Sequence, residues 1–181
     1  MTKKIKVLGI CGSLRESSLN KLFLECMQLL CPENVDFEIY SQLKRIPIFD
    51  PDNQETDDVN VSHWRKSIAQ ADVILLASPE YAHGITGVIK NALDWIVSSG
   101  EFTNKLISFP NIAIRTDLAY LQLIEVLNVM GAVVLDNCSP QATLDKPYIK
   151  FDMNKEQVLK QTDIRNRLEL LWTNINSHFY L

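Results

Sequence analysis

IKVLGICGSLRESSLNKLFLECMQLL, residues 5–30, is the stretch whose reading decides the fold. Ile5–Cys11 is a nearly continuous apolar run of strand length, the pattern of a strand covered on both faces. A turn rich in glycine and serine follows. Leu19, Leu22, Phe23, Cys26, Leu29 and Leu30 then recur at helical spacing. Strand, turn and helix make one βα step, and the chain repeats it outward from there.

A second strand is expected at Asp36–Ser41, and a loop holding Pro47, Phe49 and Pro51 leads to a helix over Val59–Gln70. DVILLA, Asp72–Ala77, reads as a third strand, followed by a loop and a helix over about Gly87–Val97. The apolar residues of Ile112–Arg115 predict a fourth strand, Leu118–Met130 a helix, and Ala132–Leu135 a fifth strand. A last helix places Ile164, Leu168, Leu171, Trp172 and Ile175 on one face. Five strands alternating with helices predict an α/β fold: a flavodoxin-like, doubly wound five-stranded parallel sheet of order 2-1-3-4-5 in a three-layer α/β/α sandwich. In that order the ligand crevice lies where the winding reverses, between the carboxyl ends of strands one and three.

Length fits one domain over residues 1–181, and an apolar content of 46% suffices for its core. A net charge of -4 gives no general field for nucleic acid or an anionic membrane, so an anion site has to be local. The apolar run near the start is too short for a signal peptide or a membrane span, and a cytoplasmic location is expected. Cys11, Cys26, Cys31 and Cys138 show neither a metal spacing nor a disulfide framework and read as apolar fillers. No metal site is expected.

The loop after strand one, GSLRESSLN over Gly12–Asn20, has the donors a phosphate needs. Gly12 permits a sharp turn, while Ser13, Ser17 and Ser18 supply hydroxyls. Amides at the helix start add a partial positive charge, and Arg15 offers a planar fork that fits two phosphate oxygens. Helix capping by Ser17 or Ser18 accounts for part of the pattern but not for the cluster of anion donors at the predicted crevice. No GxxxxGK[ST] or GxGxxG occurs there, and the acidic residues of a phospho-receiver domain are absent. The loop after strand three, SPEYAHGITG over Ser78–Gly87, carries Pro79, Tyr81 and His83 at the same edge, with Gly84 and Gly87 allowing close approach. Backbone amides around Glu80–Gly84 suit the polar edge of a planar heterocycle such as a flavin. Lys90, Asn91 and Asp94 on the next helix read as surface or as a helix-to-loop bond, and Asp94 and Trp95 as a possible subunit contact.

Both motifs resemble the NADPH-dependent FMN reductase family, whose members include FMN, quinone, azo-dye and chromate reductases. GSLRESSLN is similar to that family's GSLRxxSxN loop, which implies that Ser13, Arg15, Ser18 and Asn20 contact the FMN phosphate. PEYAHGITGVIKNALDW resembles the PEY loop and its KNAxDW helix, implying that Pro79, Glu80, Tyr81, Ala82 and His83 neighbour the ribityl chain and isoalloxazine. The resemblance runs more thinly through GAVVLD, Gly131–Asp136, and covers most of residues 5–140. It departs from the family in two places: Thr86 stands where proline is common, and IAIRTDLAYLQ, Ile112–Gln122, lacks the Ser-, Gly- or Pro-containing turn expected after strand four. Arg115 is expected to reach the flavin or a nicotinamide phosphate.

What the resemblance implies is an FMN-dependent oxidoreductase that passes electrons from NADPH or NADH to a small acceptor such as free flavin, a quinone or an azo compound. The flavin carries the chemistry, so no catalytic side chain is expected, and alternate use of one ring face predicts ping-pong kinetics. A homodimer or homotetramer is implied as well. The rival expectations are an FMN-binding electron carrier and a degenerate, non-catalytic interaction protein.

Overall fold

The computed structural model describes residues 3–110, 112, 117–139 and 153–179. Its strands are β1 (Ile5–Cys11), β2 (Val35–Ile39), β3 (Val73–Ala77), β4 (Leu106–Ser108) and β5 (Val133–Val134). The helices are α1 (Leu19–Leu29), α2 (Val59–Gln70), α3 (Gly87–Asp94), α4 (Asp117–Val129), α5 (Lys155–Leu159) and α6 (Thr162–Ser177). All strands run parallel in the order β2-β1-β3-β4-β5, as expected.

Period-two alternation in the central strands divides the interior into two cores. Val73, Leu75 and Ala77 of β3 join Ile5 and Val7 of β1 in the core under α1 and α6. Ile74 and Leu76, with Leu8 and Ile10, join the core under α2, α3 and α4. A strand buried on both faces has no polar register to show, which is why β3 reads VILLA without a break. The predicted face of α6 is buried in full, and Trp172 packs edge-on to Phe37 at 5.3 Å while its Nε1 donates to the Met27 carbonyl at 3.0 Å.

One strand differs from expectation. The fourth strand of the sheet is Leu106–Ser108, earlier than expected, paired with Val73–Leu75 on one side and with Val133 and Val134 on the other; of the expected Ile112–Arg115, residues 113–115 lie outside the described residues. Three residues carry almost no periodic signal, whereas Ile112 looks like a strand residue because it is buried in the α1/α6 core beyond the strand's end. With β4 placed there, the residues directly after it are Phe109 and Pro110. Ser108 and Ser139 fasten this end of the sheet: the Ser108 hydroxyl donates to the Cys138 carbonyl, and Ser139 Oγ accepts from the Phe109 amide at 3.0 Å.

Candidate functional site

Cys11 and Ala77 are paired neighbours at the carboxyl ends of β1 and β3, so the two loops leave the sheet side by side. Gly12 keeps them in contact. Its amide donates to the Ala77 carbonyl at 2.7 Å, and a Cβ built on it would lie 2.2 Å from Ser78 Oγ and 2.6 Å from Ser78 Cβ. Gly12 therefore serves the close approach of the two loops as well as the bend read from the sequence.

Beyond Gly12 the first loop presents its polar groups in layers. Ser13, Ser18 and Asn20 are buried, while Arg15 and Ser17 lie outside. Ser18, one of the two capping serines expected, caps α1, its Oγ accepting from the Asn20 amide at 3.2 Å. Ser13 Oγ accepts from the Arg15 amide at 3.3 Å, and Arg15 Nε donates to Ser17 Oγ at 2.9 Å, which folds the guanidinium over the loop. Asn20 is 6% exposed, yet its Oδ1 has no hydrogen-bond partner among the described residues. A buried carboxamide left unsatisfied costs free energy unless a polar guest meets it, and a half-turn of the group offers Nδ2 as a donor in the same place. Hydroxyls, a guanidinium and this carboxamide form a donor set suited to a phosphate ester. The Cys11 thiol beneath them is pushed up, chiefly by burial, and donates to the Ser13 carbonyl at 3.4 Å, so it is not a nucleophile at neutral pH.

The second loop forms a two-residue hairpin. Tyr81 and Gly84 exchange backbone bonds of 3.1 and 3.0 Å, and Ala82 and His83 both take positive φ, 51° and 61°. Such mirror-image turns usually carry asparagine and glycine, so two side-chain-bearing residues here mark stored strain. The amides of Glu80, Ala82 and His83 donate to no protein group among the described residues. Tyr81 is exposed and closes the gap to the first loop, its Oη 3.4 Å from Ser13 Oγ. The next turn ends in Thr86, whose Oγ1 accepts from the Ile89 amide at 3.4 Å as N-cap of α3. Serving as cap explains a threonine where the family favours proline.

Of the residues expected at the site, Ser13, Arg15 and Ser18 stand on the first loop and Asn20 in the first turn of α1, with Pro79, Glu80, Tyr81, Ala82 and His83 on the second loop. Arg115 lies outside the described residues. Trp95 is corrected. It is 2% exposed, donates from Nε1 to the Pro47 carbonyl at 2.8 Å and packs edge-on to Phe49, so it faces its own chain and not a partner. Asn91 holds the same loop, accepting from the Phe49 amide at 2.7 Å and donating to Pro47 at 2.9 Å, which makes it the helix-to-loop bond foreseen. The four-residue spacing of Asn91 and Trp95 put both on one helix face, a readable signal for this clamp.

Sequence reasoning missed the link between the hairpin and α4. Glu80 Oε2 accepts from the Ala119 amide at 2.9 Å, and Gln122 reaches the Ile85 amide at 3.3 Å and the His83 carbonyl at 3.4 Å. These partners stand 37 or 39 positions apart in sequence, and no local pattern announces them.

Comparison with known proteins agrees with this geometry. The family model described as NADPH-dependent FMN reductase matches residues 5–143. The chain is 41% identical over 95 residues to an NAD(P)H:quinone oxidoreductase of Solanum tuberosum, covering 50% of this chain and 49% of that protein. It is 38% identical over 96 residues to an NAD(P)H-dependent FMN reductase of Pseudomonas aeruginosa, covering 52% and 51%. The chain thus aligns with about half the length of these relatives. The flavoenzyme NAD(P)H:(acceptor) oxidoreductase FerB of Paracoccus denitrificans shares the fold, with a TM-score of 0.69 at 20% identity over 94% of this chain and 98% of that one. A donor-rich loop after β1, a strained hairpin after β3 and a family match spanning both lead to one conclusion: the chain belongs to the NADPH-dependent FMN reductase family.

Proposed function

We propose that the chain binds FMN at the junction of its two loops and uses NADPH or NADH to reduce a small acceptor, such as a quinone, an azo compound or free flavin. The buried Asn20 Oδ1, without a hydrogen-bond partner among the described residues, behind the Ser13–Arg15–Ser18 cluster carries this reading. Ser13, Arg15, Ser18 and Asn20 hold the phosphate; Pro79, Tyr81, Ala82 and His83 line the ribityl chain and ring, and Glu80 offers its amide. Arg115 completes this set. Bound FMN would supply a ring that accepts a hydride from the nicotinamide and gives electrons to the acceptor in a separate turn, hence ping-pong kinetics. The chain's own work is to bind the phosphate, fix the hairpin against the ring edge and leave one face open, so no side chain needs to be a catalyst.

Residues 1–181 are read as one domain, and a homodimer or homotetramer completes the reading. Its support is α4, which exposes Leu118 and Leu121 beside an open groove of about 730 Å³ between α3 and α4, walled by Ile85, Leu121 and Val126. An apolar face of this kind on a helix next to a ligand loop favours a partner. No described helix is long and apolar enough to cross a membrane. Four free thiols fit a reducing cytoplasm.

The test is an absorption spectrum of the purified chain with and without added FMN, followed by NADPH under anaerobic conditions. Bound flavin that bleaches is the expected result. Flavin that binds without bleaching would make the chain an electron carrier, and a chain that takes up no FMN would refute the reading.

A further inference from the structure

Glu80 stands on the loop after β3, just before the hairpin turn, and its carboxylate is already engaged. The side chain is 11% exposed. Oε2 accepts from the Ala119 amide at 2.9 Å, and Oε1 lies 3.1 Å from His83 Nδ1. Ala119 is in the first turn of α4, where amides lack a helical acceptor and the helix end favours negative charge. One turn on, Gln122 accepts from the Ile85 amide and donates to the His83 carbonyl. The hairpin is thus tied to α4 on both sides of its turn. Between those ties stand Ala82 and His83, in a left-handed conformation that residues with a Cβ resist. Strain of that kind persists only where the surroundings over-determine it, and Glu80 and Gln122 are those surroundings.

We propose that Glu80 is a positioning residue: its carboxylate latches the strained Tyr81–Gly84 hairpin to the first turn of α4, holding the ring-facing amides of Ala82 and His83 in place before any cofactor arrives. The role rests on the FMN reading above, and the experiment separates the two. The full chain and its Glu80→Ala, Glu80→Gln and Gln122→Ala variants are titrated with FMN and with riboflavin by fluorescence quenching. Amide hydrogen exchange of the flavin-free proteins is followed over residues 81–85 and 117–122. A double variant, Ser13→Ala with Arg15→Ala, serves as the phosphate reference.

Glu80→Ala should weaken FMN and riboflavin by the same factor, about tenfold to a hundredfold for the loss of a charge-assisted bond. Its exchange at Gly84 and Ala119 should be faster than in the parent without any flavin present. Glu80→Gln keeps an acceptor for the Ala119 amide and should stay within about threefold of the parent, whereas the phosphate reference should weaken FMN alone. Exchange and both affinities unchanged in Glu80→Ala would overturn the latch. So would a Glu80→Gln variant as weak as Glu80→Ala with parental exchange, since the negative charge itself would then be meeting the cofactor. If Glu80→Ala does not fold, Gln122→Ala cuts the other side at an exposed position and must show faster exchange at Ile85 for the latch to stand. If the parent binds no flavin, the FMN reading fails while the exchange comparison still decides the latch.

Discussion

Gly12→Ala is the substitution whose consequence the structure fixes most closely. The new methyl group would sit 2.6 Å from Ser78 Cβ and 2.9 Å from Ile89 Cγ1, besides 2.2 Å from Ser78 Oγ. Rotation of Ser78 can remove its hydroxyl from the contact, since among the described residues that group makes only a 3.4 Å bond to the Pro79 carbonyl. The carbon contacts cannot be relieved so cheaply. Carbon pairs rest at about 3.5–4.0 Å, so the two loops must separate by about 1 Å against the 2.7 Å bond from the Gly12 amide to Ala77. Overpacking on this scale costs about 1–3 kcal/mol, which for a chain of this size lowers the melting temperature by about 2–12 °C. The same displacement widens the cradle, and FMN affinity should fall at least about tenfold. Thermal melting and flavin titration measure both effects. Gly87→Ala is the control, because nothing lies within 4 Å of its added Cβ, and it should melt at or slightly above the parent temperature. Adding Ser78→Gly to Gly12→Ala should restore part of the stability, in the manner of coupled neighbours. A Gly12→Ala protein that melts and binds flavin like the parent would refute the close-approach argument.

Other predictions address the clamp, the thiols, the proposed interface and acid stability. Asn91→Ala deletes two bonds to the Pro47–Phe49 loop and should cost about 1–3 kcal/mol, read as a lower midpoint in urea unfolding. Burial pushes the Cys26 and Cys138 thiols up to about 12 and raises Cys11 and Cys31 as well, so thiol labelling of the native chain at neutral pH should run at less than about a tenth of the unfolded rate and quicken as pH rises; one rapidly labelled cysteine would contradict this. Leu121→Glu places a charge in the α3–α4 groove and should shift the sedimentation of the proposed oligomer to that of a monomer, while an unchanged profile would move the interface elsewhere. Asp58 caps α2, and the amides of Val61 and Asn60 hold its carboxyl below the usual carboxylate range. Its contribution is therefore present above the unfolded value and lost as pH falls through the folded one. The parent's melting temperature should drop more steeply below about pH 4 than that of Asp58→Asn.

The sequence by itself determined the βα alternation, the order of the sheet and the edge at which a ligand belongs. The alternation is a consequence of local periodicity, VILLA being buried on both faces, while the order and the ligand edge follow from the doubly wound arrangement that this alternation fits. The helix-to-loop bond of Asn91 was likewise among the readings of the sequence. Tertiary structure decided where the fourth strand lies, because three residues are too few to show a period and buried Ile112 imitates one. It turned Trp95 inward against Pro47 and Phe49, and it added to the bend at Gly12 a second reason for glycine, the proximity of Ser78. It also consumed the Glu80 carboxylate in a bond to Ala119, 39 positions away. Periodicity reports which way a side chain points from its own element, whereas a contact between distant loops exists only after the sheet has set them side by side.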